Sequence, residues 1–253
     1  MSLIQKIKYY FTGNFKNNDL PKKVELTSSK YFELSAAEWK ALIREHITPI
    51  IEKELQMKQI GDYLWASEYN NIGMRKVLSF FWINSAYATF KWGWNFNFIP
   101  KYFGGKIVWA RTDKSIFTHV YEVSKDFYDS SGRSERKRRA YDKVIISRIF
   151  YNENNSRDII TDMAKDFQKK LKVLIPTIKK YYKATSTLES VLRRIDLNLE
   201  NYYYRFINPE LVVLRVFILY RLNLKEEALS DFEKISFTSD DIREQYYKKL
   251  LSI

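Results

Sequence analysis

Two histidines and no cysteine bound the chemistry that this 253-residue chain can carry. Thiol nucleophiles, disulfides and cysteine metal sites are excluded outright, and the chain is indifferent to redox compartment. His46 and His119 leave at most one candidate each for a hydrolytic triad or a histidine metal site. His119 stands between Phe117 and Tyr121 in a segment that reads as a strand. A histidine there more often serves the sheet, satisfied by hydrogen bonds, than a reaction. His46 follows Arg44 and Glu45 on an expected helix and reads the same way.

Two nuclease-like spacings come close and miss. Arg111 and His119 are one residue further apart than the Arg–His pair of helical ribonucleases, and both fall on expected strands. Asp113, Glu122 and Lys125 resemble the Asp…Glu-x-Lys set of restriction-type nucleases. Here Val123 and Ser124 both intervene between the last two, which turns Lys125 to the wrong strand face for a shared metal site. Gly104-Gly105-Lys106 lacks the length and the following helix of a phosphate-binding loop. No GxSxG elbow is present. The sequence therefore assigns no catalytic residue, no metal and no cofactor.

A different kind of site is suggested by Arg133, Arg136, Lys137, Arg138 and Arg139, five cations within seven residues beside one acid, Glu135. Such a run binds phosphates by charge and, through arginine, by forked hydrogen bonds; its plain alternative is a solvated loop. The whole chain leans the same way, with 43 Lys and Arg against 30 Asp and Glu, a formal net charge of +13. That balance favours anionic partners, either nucleic acid or an acidic protein, and equally fits a basic solvated surface.

The elements that must carry these residues are legible in the hydrophobic spacing. Leu3, Ile7, Tyr10 and Phe11 suggest a short N-terminal helix, broken by the stretch from Gly13 to Pro21. Ser35 and Glu38 form a capping box ahead of Trp39, Leu42, Ile43, Ile47, Ile50 and Ile51, which predicts a helix over 36–55 that Pro49 kinks or shortens. The period then changes to two. Strands are expected at Tyr63–Tyr69 and Arg75–Ile83. Ala88, Phe90, Trp92, Trp94, Phe96 and Phe98 then alternate with Thr89, Lys91, Gly93, Asn95 and Asn97, the mark of a strand with one buried and one wet face. Were those rings exposed they would stack on nucleobases; a stripe this large is ordinarily core. Gly104-Gly105 predicts a hairpin turn, with return strands at Ile107–Arg111 and Ile116–Val123 and a strand or helix end at Val144–Tyr151. From Ser156 onward, apolar steps of three and four predict only helices, with caps at Ser156, Ser186 (boxed with Glu189) and Asn208 before a first-turn Pro209.

Composition supports an ordered protein: 45% hydrophobic and 29% charged residues, 7 Gly and 5 Pro. The 19 Tyr, 17 Phe and 6 Trp supply much of the burial, and their hydroxyl and indole groups must find partners. Roughly 20 apolar residues span a bilayer, whereas Arg215 and Arg221 interrupt and close the run Leu211–Tyr220. Lys6 and Lys8 fall inside the N-terminal apolar stretch, which does not read as a signal peptide. The expectation is a soluble, cytoplasmic protein.

Pro209–Ile235 resembles one tetratricopeptide-type helical hairpin, with Asn223 at the turn and Ala228, Phe232 and Ile235 in the second helix, while Val216 replaces the usual small residue. A solenoid needs at least about three repeats, so this segment reads as a generic helical hairpin. The order of capped helix, Tyr63-Leu64-Trp65, apolar strand and Thr89–Phe96 resembles uncharacterised bacterial domains that combine one long helix with an antiparallel meander. That resemblance implies a bacterial accessory protein of a defence or immunity locus and transfers no catalytic residue. The combined expectation is an α+β fold in which an aromatic antiparallel meander packs on a long N-terminal helix and a helical C-terminal region follows. Its expected divisions are 1–34, 35–152 and 153–253, the last two packing separately or as one unit. The expected function is non-enzymatic binding of an anionic partner, with a metal-dependent nuclease or a helical interaction scaffold as alternatives.

Overall fold

Ser35 starts the first helix as its side chain dictates. Its hydroxyl accepts from the Glu38 N–H at 3.3 Å while its own N–H donates to the Glu38 carboxylate at 2.7 Å, closing the expected box. In this computed structural model, which describes residues 30–84, 87–116, 118–123, 145–146, 148–151, 159–199 and 209–253, helix α1 spans Ala36–Leu42 and α2 spans Thr48–Leu55. A π-helical stretch, Ile43–Ile47, joins them. The wider turn sits just ahead of Pro49, which has no N–H to donate and crowds the preceding turn, so the chain passes the proline without ending the helix. Gln56, at φ +56°, stops α2 in the left-handed conformation. Trp39, Leu42, Ile43, Ile47, Ile51 and Leu55 form the buried stripe.

The sheet is antiparallel, in the order β2 (Lys58–Gly61), β3 (Leu64–Ala66), β4 (Met74–Asn84), β5 (Tyr87–Phe96) and β8 (Val120–Val123), with β9 (Ile145–Ile146) also pairing with β5. Phe80 pairs with Phe90 and Leu78 with Trp92, so the apolar positions of β4 and β5 share one face. Helix α3 (Ile159–Ala184) covers it: the Phe167 ring lies 5.1 Å from Phe80, 5.6 Å from Phe90 and 6.3 Å from Trp39. Several polar groups of this core are tied, although Trp92 Nε1 and Thr89 Oγ1 are buried without a hydrogen-bond partner among the described residues. Trp94 Nε1 donates to Thr185 at 2.8 Å, Tyr182 OH to the Val77 carbonyl at 2.8 Å, Tyr181 OH to Val120 at 3.1 Å and Trp65 Nε1 to Thr48 at 3.1 Å.

Several expectations change. Strand β5 ends at Phe96, and Phe98 is buried in the turn that follows. Its second face is not wet: Thr89 and Asn95 are fully buried, because polar groups from neighbouring segments cover Asn95. The strand expected over 63–69 shrinks to β3, since Ser67 hydrogen-bonds Lys76 at 3.1 and 2.9 Å while Tyr69 leaves the sheet for a polar cluster. Among the described residues, strands β6 (Pro100–Phe103) and β7 (Lys106–Trp109) pair only with each other; the Ile107 N–H goes to the Gln245 side chain at 2.9 Å instead of to another strand. Strand β8 starts at Val120 because the turn Asp113–Ser115 takes up the preceding chain. Strand β10 (Arg148–Tyr151) pairs with β1 (Lys30–Glu33), a strand that no expectation included.

The C-terminal region carries five helices and no strand among the described residues: α3, α4 (Leu188–Asp196), α5 (Leu211–Arg221), α6 (Lys225–Glu233) and α7 (Asp240–Leu250). The cap of α4 is Thr187 with Ser190, one residue later than expected, which turns Leu188, Val191 and Ile195 into the core. Helix α5 starts after Glu210, leaving Pro209 outside its first turn. Asn223, at φ +65°, makes the tight link from α5 to α6. The expected helix near residues 2–11 and the caps Ser156 and Asn208 lie outside the described residues. No helix among the described residues is long and apolar enough to cross a membrane.

Candidate functional site

Asn95 is the hub of a buried polar cluster on the second face of the sheet. Its Oδ1 accepts from Arg75 Nε at 3.1 Å and from the Tyr69 hydroxyl. Arg75 is 5% exposed, and its guanidinium is satisfied on every side. It donates to Asp113 Oδ1 at 2.7 Å and to the Thr112 carbonyl at 3.3 Å, with the Tyr69 ring 4.5 Å away. Burying a guanidinium is costly unless it is paired and hydrogen-bonded, and this one is both. His119, also fully buried, accepts from the Phe96 N–H through Nδ1 at 3.0 Å, which fixes the neutral tautomer with its proton on Nε2. Burial, reinforced by the charges of Lys101 and Arg75, pushes its pKa down to about 3 against a backbone hydrogen bond with Ile99 that works the other way. A permanently neutral, enclosed imidazole is a structural group.

This cluster fastens the base of the β6–β7 hairpin, which carries the open chemistry. Gly104 and Gly105 have φ of +57° and +79°, the two-residue turn that only residues tolerant of positive φ form readily. With no loop to spare, the turn flanks are fixed by pairing: Phe103 opposite Lys106, Tyr102 opposite Ile107, Lys101 opposite Val108 and Pro100 opposite Trp109. On one face Lys101 stands 5.4 Å from the Phe103 ring and donates to the Ser115 carbonyl at 3.2 Å, which brings the Asp113–Ser115 turn and Lys114 alongside. On the other, Trp109 carries two cations, the Arg111 guanidinium at 3.9 Å and the Lys249 ammonium of α7 at 4.5 Å. Burial and the neighbouring Arg111 charge hold the Lys249 pKa below its ordinary value. Phe103 is 69% exposed and Tyr102 45%.

Charge is unbalanced here. Among the described residues no carboxylate lies within ion-pairing distance of Lys106, Arg111, Lys114 or Lys249. Asp113, the one acid between Pro100 and Ile116, is held by Arg75. The concavity between α4, α5 and α6, about 750 Å³, behaves in the opposite way: Arg215 at its wall is matched by Asp196, Glu227 and Asp231.

The residues singled out in the sequence fare unequally. Arg133, Arg136, Lys137, Arg138 and Arg139 lie outside the described residues. Arg111 is exposed while His119 is enclosed, so the ribonuclease-like pair does not converge. Of the restriction-type set, Asp113 is engaged by Arg75 and Lys125 lies outside the described residues. His46 is half-buried and its carbonyl accepts from Gln168 at 3.0 Å. Among the described residues no three His, Asp or Glu side chains are grouped to hold a metal. Phe90, Trp92, Trp94, Phe96 and Phe98 are core and offer no stacking surface. Gly104 and Gly105 by themselves specify a turn and fail as a phosphate loop; the signal for the hairpin is the interleaving of Lys101, Lys106, Arg111 and Lys114 with Tyr102, Phe103 and Trp109.

No protein-family model, curated protein or solved structure matches this chain.

Proposed function

We propose that this protein binds nucleic acid around the basic β6–β7 hairpin, with Lys106 on its Phe103 face, Arg111 and Lys249 on its Trp109 face and Lys114 on the adjoining Asp113–Ser115 turn, and with the run Arg133–Arg139 contributing further phosphate contacts. The observation that carries this reading is the group of four cations, Lys106, Arg111, Lys114 and Lys249, with no carboxylate beside them among the described residues. Arg75, Lys179 and Arg215 are each paired, and what sets the four apart from the lysines along α3 that are unpaired among the described residues is their seat around the hairpin of Phe103 and Trp109. Unpaired cations on a rigid support attract a polyanion at long range and release its counterions on contact. The reading is a binding role and assigns no reaction.

The test is fluorescence anisotropy with labelled oligonucleotides across a salt series. Replacing Lys106 and Lys114 with Ala is expected to weaken binding, and each lost phosphate contact to flatten the log-affinity against log-salt slope by about 0.7–0.9. The five-fold Ala variant of Arg133, Arg136, Lys137, Arg138 and Arg139 is expected to flatten it further. A wild-type protein that binds no oligonucleotide at low salt, or binds polyglutamate equally well, overturns the reading.

A further inference from the structure

We infer that the ligand of this hairpin is single-stranded, and that Phe103 at the tip of the β6–β7 hairpin is the platform on which an unpaired base stacks. The inference rests on the nucleic-acid reading above and adds the strandedness of the ligand and the residue that selects it.

The geometry carries the step from charge to strandedness. Phe103 is the most exposed aromatic ring among the described residues, and it is not on a loose loop. The two-residue Gly104-Gly105 turn and the Phe103–Lys106 pairing hold its backbone in register, and the Asn95–Arg75–Asp113 cluster holds the chain that returns from the hairpin. A ring presented on a fixed backbone loses little freedom when a ligand covers it. Lys101 and Lys106 share its face of the hairpin, so a base lying on the ring brings its phosphates toward ammonium groups on both strands. Alternating ring and cation is the arrangement that tracks a single strand, where every base offers a π-face and the backbone follows the charge.

A duplex does not fit the same tip. Its bases are stacked on one another and show only edges in the grooves. A two-stranded ribbon does enter a major groove, but base edges are read there by Arg, Lys, Asn and Gln. The outermost exposed side chain of this ribbon is the Phe103 ring, which reads no base edge, and of the base-reading types only Lys101 and Lys106 stand beside it. Against a duplex the lysines still find phosphates or a base edge, while the Phe103 ring finds no open base face.

The experiment compares a single-stranded deoxyribo-oligonucleotide carrying 2-aminopurine with a duplex of equal length, using the full chain. The wild type is expected to prefer the single strand by roughly tenfold or more and to quench the 2-aminopurine emission, since stacking one base is worth about that factor in affinity. Phe103→Ala is expected to abolish most of the preference and restore the emission while leaving the salt slope unchanged; Phe103→Trp is expected to retain both. Lys106→Ala with Lys114→Ala is expected to weaken single strand and duplex alike. Far-ultraviolet circular dichroism of each variant confirms that the fold is kept. Equal binding of both ligands, or a Phe103→Ala variant that still prefers and quenches the single strand, overturns the inference and leaves the nucleic-acid reading standing. Binding to neither ligand overturns both. Phe103-dependent binding to vesicles rich in anionic lipid, without binding to oligonucleotide, assigns the tip to a membrane surface instead.

Discussion

The aromatic residues of β5 and those of the β6–β7 hairpin are a few positions apart in the chain and meet opposite fates. Phe90, Trp92, Trp94 and Phe96 are enclosed between the sheet and its helices, where Phe167 and Tyr182 meet their rings and Thr185 takes the Trp94 N–H. Tyr102, Phe103 and Trp109 are flanked by Lys101, Lys106, Arg111 and Lys249, and two of the three rings stay open to solvent. Partner, not residue type, separates the two sets. Each β5 ring meets other rings or a helix, whereas Phe103 and Trp109 of the hairpin meet cations, and a cation keeps its own hydration. The first set stabilises the protein; in the second, Phe103 is left facing solvent.

The comparison breaks if a core ring proves dispensable, so the largest effect belongs there. Phe90→Ala removes a ring that touches Phe80, Trp65 and Phe167 and leaves a cavity with no water access. The expected loss is about 3–5 kcal/mol, measured as a shift of the denaturant midpoint at constant slope. A loss near zero would mean that the aromatic stripe is not the core.

Next in size is an effect of pH through His119. Its folded-state pKa is about 3 against an ordinary value near 6.5. Between those values the unfolded chain binds more protons than the folded one, so stability falls as pH is lowered. The difference is fully felt below the folded value and absent well above the ordinary one. From pH 6.5 to pH 5 the expected loss from this group is about 2 kcal/mol. His119→Gln, compared with wild type by chemical unfolding at both pH values, is expected to remove that increment. An unchanged difference would place the imidazole in contact with water.

How much of this was legible follows from what each feature depends on. The capped first helix, the period-two stripe and the helical C-terminal region rest on local spacing and side-chain chemistry, and the chain carries those signals directly. The buried second face of β5 does not. Thr89 and Asn95 read as solvent-facing because their polarity is local, whereas both are buried, Asn95 by segments distant in sequence: Tyr69 and Arg75, with Thr112 behind Arg75. Strand β1 escaped notice because Lys30–Glu33 finds its partner more than a hundred residues away, at Arg148–Tyr151. The hairpin turn was visible in Gly104-Gly105, but its independence from the main sheet depends on Gln245, which no local pattern predicts. The exposed site followed the same rule. Its cations and rings were in plain view, and only the third dimension brought Lys249 onto Trp109.

A smaller effect sharpens the account of the core. Tyr182 is fully buried, and burial holds its hydroxyl protonated far above the ordinary range. That hydroxyl donates to the Val77 carbonyl of β4 across the sheet, at 2.8 Å. Tyr182→Phe keeps the ring against Trp94 and deletes only the hydrogen bond, so a loss of about 1 kcal/mol in unfolding free energy is expected. A loss several times larger would show that the hydroxyl, more than the ring, locks α3 to the sheet.

The smallest effect on stability is expected where the effect on binding is greatest. Phe103→Ala removes a side chain with 69% of its surface already in water, on a backbone held by the Gly104-Gly105 turn and by pairing with Lys106. Little apolar area re-enters solvent on unfolding, and the loss to be weighed is one contact with Lys101 at 5.4 Å, worth at most a fraction of a kcal/mol at an exposed site. The variant is therefore expected within about 0.5 kcal/mol of wild type. For a chain of this size that is a shift in melting temperature below roughly 2 °C, read by differential scanning calorimetry. Set against Phe90→Ala, two removals of the same side chain would then differ about tenfold in thermodynamic cost. Should Phe103→Ala prove as destabilising as a core deletion, the tip is packed against another part of the chain and is not open to a ligand, and the stacking platform fails with it.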